Sequence, residues 1–162
     1  MNSKRIATAL LTAATLVVPL AGQAQAATTK VEIVNQSSGR VITWGPSYVT
    51  AQPSDPSMKL RTWIKVDVAA DQAIYKWAKN ETLCLTGLPA SNQMTVQTCN
   101  GGFRQLWATG FTGGTFRKFE NVGTLRAATQ KPFRNGDGTA RTPVEQEVFI
   151  GENAQLWQVR AV

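Results

Sequence analysis

Little in this sequence is placed to make or break covalent bonds. The chain has 162 residues and no histidine, which removes Ser-His pairs and the usual imidazole base. Glu145 and Glu147 would share one face of a strand, as a carboxylate pair might, but two solvated charges on an outer face account for them. Asn135-Gly136-Asp137-Gly138 begins like a calcium loop, lacks the later ligands and the closing Glu, and reads as a tight turn. No catalytic residue, metal ligand set or cofactor is expected, and the chain is expected not to be an enzyme. The residue types do permit recognition. Trp44 and Tyr48 flank Gly45-Pro46-Ser47, a turn that would present both rings for stacking on a glycan or a partner. Trp77 is expected in the core or a cap of the fold.

The elements that would position these residues follow a leader. Lys4 and Arg5 precede an apolar run from Ile6 to Leu20, and Ala24-Gln25-Ala26 supplies small residues for cleavage. Residues 1–26 therefore read as a secretory signal peptide, too short and too weakly flanked for a membrane span. The expected product is one soluble, exported, extracellular domain, residues 27–162, with no transmembrane segment. Without Lys4 and Arg5 it carries 15 basic and ten acidic residues, a charge of about +5, with much of the excess between Arg104 and Arg141. The charges are scattered, without the dense run of a nucleic-acid arm, so solubility accounts for them and no nucleic-acid partner is expected. Export makes a disulfide the default state of Cys84 and Cys99, with free thiols or metal ligation as the alternatives. Asn35-Gln36-Ser37 and Asn80-Glu81-Thr82 match the N-glycosylation pattern.

The domain reads as about twelve short strands separated by turns rich in Gly and Asn, with no convincing helix. One tripeptide organises them. Gln105-Leu106-Trp107 recurs 50 positions later as Gln155-Leu156-Trp157, and a weaker copy, Arg61-Thr62-Trp63, lies 44 positions before the first. Three spaced copies imply three supersecondary units of four strands each, near 30–69, 72–111 and 115–161, with Trp63, Trp107 and Trp157 at matching core positions. Closure into a barrel-like domain is the safest way to hide that many strand edges.

The middle unit carries Leu83-Cys84-Leu85, Met94-Thr95-Val96-Gln97-Thr98-Cys99 and Gln105-Leu106-Trp107 in succession. This resembles the ricin B-chain lectin family, β-trefoils with three Gln-x-Trp repeats. The resemblance spans the whole mature chain at the level of repeats and is most specific in the middle one. It implies a Cys84–Cys99 disulfide, core packing for the Trp of each motif, and a bracing role for Gln105 and Gln155. The family's sugar sites use an Asp after the Cys-Leu strand, an aromatic on the next strand and an Asn before Gln-x-Trp. Here the Asp position falls on Thr43, Thr86 and Arg126, the aromatic position of the middle repeat on Gln97, and the Asn position near Leu60, Arg104 and Ala154. No repeat keeps the set. The resemblance implies a non-enzymatic carbohydrate-binding lectin module for extracellular polysaccharide or glycoconjugate, with Thr43, Thr86 and Gln97 at the family's contact positions; Trp44 and Tyr48 join them as expected ligand contacts on the strength of their turn. The other expectation is a protein-binding trefoil, an accessory subunit of a secreted toxin or an enzyme inhibitor.

Overall fold

A computed structural model describes residues 27–162 except 46–47, 56, 58–59, 111–113 and 133–141. The expected leader, Pro46-Ser47 and the Asn135–Gly138 turn lie outside the described residues. The described residues form twelve strands: β1 (Thr28–Asn35), β2 (Val41–Trp44), β3 (Val49–Gln52), β4 (Trp63–Ala69), β5 (Gln72–Trp77), β6 (Asn80–Gly87), β7 (Met94–Thr98), β8 (Leu106–Gly110), β9 (Arg117–Asn121), β10 (Arg126–Gln130), β11 (Thr142–Glu147) and β12 (Leu156–Ala161). The helical content of the described residues is two single 3-10 turns, Phe103–Gln105 and Asn153–Gln155.

Six strands close on themselves. β1 pairs with β12, β12 with β9, β9 with β8, β8 with β5, β5 with β4, and β4 again with β1, all antiparallel. The remaining six form the hairpins β2–β3, β6–β7 and β10–β11. The hairpins meet one another where Thr142 of β11 pairs with Ala51 of β3 and Gln93 bridges to Glu145. Closure leaves no exposed edge along the ring, which is the physical gain expected of so many short strands.

The core explains why the tripeptide recurs. Trp63, Trp107 and Trp157 are all buried, and each indole N–H donates to a main-chain carbonyl of a hairpin: Ile42 at 3.1 Å, Leu85 at 3.0 Å and Ala128 at 2.8 Å. Each ring thus removes about 200 Å² of surface from water and still satisfies its one polar atom. A second buried layer inside the barrel holds Ile33, Tyr75 and Phe119, one from each of β1, β5 and β9. Phe119 stacks on Trp107 with centroids 4.8 Å apart and meets Tyr75 edge-on at 5.2 Å.

Two residues further along those strands, the chain turns inward on the 3-10 turns. Asn35 donates its amide to the carbonyls of Ala154 and Leu156, and Asn121 donates to those of Arg104 and Leu106. The corresponding residue of β5 is Trp77, half-buried against the core as expected, with its indole N–H unpaired among the described residues. Buried Glu32 of β1 lies between two cations, Arg61 Nε at 2.7 Å and Arg160 Nη2 at 2.9 Å, and so ties β12 and the approach to β4 onto β1. Among the described residues no helix is long and apolar enough to cross a membrane.

Candidate functional site

A cleft of about 510 Å³ opens beside the Phe103–Gln105 turn. Its floor is built from two sequence expectations. Cys84 and Cys99 are bonded, with Cα atoms 5.0 Å apart, so β6 is stapled to the segment that leads into the turn. Gln105 is buried and braces that segment. Its Oε1 accepts the Asn100 N–H at 2.7 Å, and its Nε2 donates to the Thr98 carbonyl at 2.9 Å and to Thr86 Oγ1 at 3.3 Å. Gln155 makes the same set of bonds, to Ile150 N–H, Val148 carbonyl and Thr129 Oγ1. The glutamine of the motif is therefore a bracket between a hairpin and the chain leaving it.

Glycine sets the turn's position. Gly101 takes a φ of +70°, and Gly123 lies so close to the turn that a Cβ there would sit 2.7 Å from Arg104 N and 2.8 Å from Phe103 C. The Gly123 N–H donates to the Phe103 carbonyl at 2.9 Å, and Asn121 Nδ2 donates to the Arg104 carbonyl at 2.7 Å. With the backbone of the turn clamped from below, Phe103 and Arg104 face solvent while Gln105 is buried. Phe103 is 72% exposed, and Arg104 and Gln97 are also exposed. The Arg104 guanidinium and the Gln97 amide have no partner among the described residues. Asn100, which also lines the cleft, uses its Oδ1 to accept the Gly102 N–H at 2.9 Å, and its amide N–H groups have no partner among the described residues. The result is an aromatic face next to two amides and one guanidinium, with no carboxylate among the described lining residues.

The expected contact residues separate in space. Thr86 and Gln97 meet in this cleft. Thr86 is buried, its hydroxyl donates to the Cys84 carbonyl at 2.8 Å, and it serves as floor. Thr43 is fully buried, with its hydroxyl on the Thr50 carbonyl at 3.2 Å and Thr50 Oγ1 at 3.1 Å, so a ligand-contact role does not fit it. Trp44 is half-buried against the core, and Tyr48, at 43% exposed, lies beyond it on the β2–β3 hairpin. The third counterpart of Thr43 and Thr86 is Thr129 rather than Arg126, since Gln155 braces Thr129. Of the two glycosylation patterns, Asn35 is fully buried and bonded, and Asn80 is exposed.

Phe103 is the residue that sequence reading passes over. Its signal is local: an aromatic side chain directly after Asn100-Gly101-Gly102 and two before the bracing Gln105 has nowhere to go but outward. A second cleft, of about 480 Å³, opens at the barrel end where β1 and β9 begin, lined in part by Thr29, Lys65, Thr109 and Arg117. Burial pushes the Tyr75 phenol well above its ordinary value, with the Asp67 charge adding to the rise. Among the described residues no group of three His, Cys, Asp or Glu is placed to hold a metal ion.

No protein-family model matches the chain, and no curated protein sequence matches it. Solved structures do match in fold. The designed threefold-symmetric protein ThreeFoil aligns with a TM-score of 0.70 at 16% identity over 82% of this chain and 99% of its own. The cytolethal distending toxin from Actinobacillus actinomycetemcomitans aligns at 0.69 and 16% identity, over 82% of this chain and 91% of the matched chain. The Polyporus squamosus lectin, bound to the epitope Neu5Acα2-6Galβ1-4GlcNAc, aligns at 0.66 and 14% identity over 82% of this chain and 49% of its own. These are β-trefoil proteins, and at such identities the likeness is one of fold.

Proposed function

Starting from a β-trefoil whose middle segment carries an open polar cleft, we propose that the chain is a secreted, non-enzymatic carbohydrate-binding module. In this reading residues 1–26 are a cleaved export signal and residues 27–162 form three four-stranded repeats near 30–69, 72–111 and 115–161. The Cys84–Cys99 disulfide fits an extracellular setting. The ligand is a polysaccharide or glycoconjugate held at the middle repeat. One observation carries this: the exposed Phe103 ring stands beside the amides of Gln97 and Asn100 on a braced turn. A pyranose has an apolar C–H face and a rim of hydroxyls that both donate and accept, and a ring flanked by amides complements both. The lectin among the matched folds is in keeping with that use.

A glycan array and a polysaccharide pull-down with the folded domain test the reading. Phe103→Ala is expected to weaken any captured glycan tenfold or more while leaving the melting temperature nearly unchanged, because the ring is solvent-facing. Clean negatives on both assays, or binding indifferent to this substitution, would count against the cleft.

A second reading is a protein-binding trefoil, an accessory subunit of a secreted toxin or an enzyme inhibitor. Val148 and Ile150 favour it. They are 71% and 69% exposed, yet Gln155 holds the backbone of both rigidly, so two aliphatic side chains are presented to solvent on a fixed support. The toxin among the matched folds is consistent with it. A stoichiometric protein co-purifying from culture supernatant would favour this reading, and a solitary monomer would count against it.

A further inference from the structure

We infer that the glycan recognised at the Phe103 cleft is an acidic one, whose carboxylate or sulfate is received by Arg104. The inference rests on the carbohydrate-binding reading and goes on to the charge of the ligand.

Three features of the cleft point the same way. The described lining contains one cation, Arg104, and no anion. A neutral sugar needs acceptors as well as donors around its hydroxyls. Here Thr86 Oγ1 already donates to one carbonyl and accepts from Gln105, and Asn100 Oδ1 is taken by Gly102 N–H. What remains free is mostly donors: the N–H groups of the Asn100 and Gln97 amides and of the guanidinium, with Gln97 Oε1 as an acceptor beside them. An excess of donors suits a ligand that brings its own acceptor oxygens and a negative charge.

The guanidinium is also not neutralised. Arg61 and Arg160 close on Glu32, Lys118 pairs with Glu120 at 2.9 Å, and Lys131 pairs with Glu147. Arg104 has no such partner among the described residues, although its backbone is fixed by Asn121 and Gly123. A planar, always-charged fork on a fixed base matches a carboxylate or a sulfate edge in two-point contact. Phe103 lines the same cleft, so a pyranose stacked on the ring could carry an anionic substituent toward the guanidinium. The counterparts of Arg104, located by the Gln36, Ala78 and Val122 N–H bonds to Leu156, Thr62 and Leu106, are Ala154 and Leu60, which carry no charge.

The test compares charged glycans with neutral counterparts, in physiological salt: galacturonate against its methyl ester, sialyllactose against lactose, and galactose 6-sulfate against galactose. Wild type, Arg104→Gln, Arg104→Lys and Phe103→Ala are titrated calorimetrically, with Lys79→Gln as an exposed charge control outside the cleft. At least one anionic member is expected to bind tenfold or more tighter than its neutral partner. Arg104→Gln should erase that preference, Arg104→Lys should keep part of it, and Phe103→Ala should weaken both members. The pair that responds identifies the carboxylate or the sulfate as the source. Neutral members bound as tightly as charged ones, or a preference that survives Arg104→Gln, would overturn the inference and leave the carbohydrate reading standing. An equal loss from Lys79→Gln would reduce the preference to general attraction and also overturn it. No binding by any member, together with an empty glycan array, would bring down both.

Discussion

At the scale of single residues, hydroxyl and amide groups look alike in a sequence and differ by what they touch. Thr43 and Thr86 are polar and well placed along the chain, yet each hydroxyl is engaged inside, by Thr50 in one case and by Cys84 and Gln105 in the other. Those partners are up to 19 positions away, so residue type alone does not reveal them. Phe103 shows the converse, a solvent-facing ring that composition files under core. Tyr75 carries a residue-scale prediction. Its phenol is fully buried, unpaired among the described residues, and raised above its ordinary pKa of 10.0 by burial. Above that value the unfolded chain releases a proton that the folded one keeps, so stability falls as pH rises, by about 1.4 kcal/mol per pH unit for this one group. Below it the contribution is fully present. Denaturant melts between pH 9 and 11.5 should show that decline in wild type and a shallower one in Tyr75→Phe.

At the scale of elements, all twelve strands were legible, because β-branched and aromatic runs bounded by Gly and Asn are local signals. The frame of β10 was not. The strand runs Arg126–Gln130 because Leu125 adopts a φ of +55° and extends the turn. A bulky residue rarely takes that conformation, so no turn rule anticipates it. The shift moves the Thr86 counterpart from Arg126 to Thr129. The Cys84–Cys99 bond belongs to this scale too, since it joins β6 to the segment entering the Phe103–Gln105 turn. Replacing both cysteines with alanine is expected to lower unfolding free energy by about 3 kcal/mol on the chain-entropy estimate, measured by urea titration. If the cleft is the binding site, affinity should fall along with stability, since the turn loses its staple.

At the scale of the whole molecule, the recurrent Trp was the most informative residue in the sequence, because three matching core positions demand three matching surroundings. The structure supplies them as three indole bonds to Ile42, Leu85 and Ala128. The barrel that follows is nearly indifferent to what its outer turns carry, so turns can diverge while the interior stays alike. They have diverged: Phe103-Arg104 at one turn has Asn153-Ala154 at the other 3-10 turn. If only the first of these recognises sugar, calorimetric stoichiometry should be close to one per chain, and values near two or three would show that other turns take part. A monovalent particle cannot bridge two polymer strands. It would decorate a polysaccharide without gelling it and leave red cells dispersed. Firm adhesion would then have to come from several copies tethered on one scaffold.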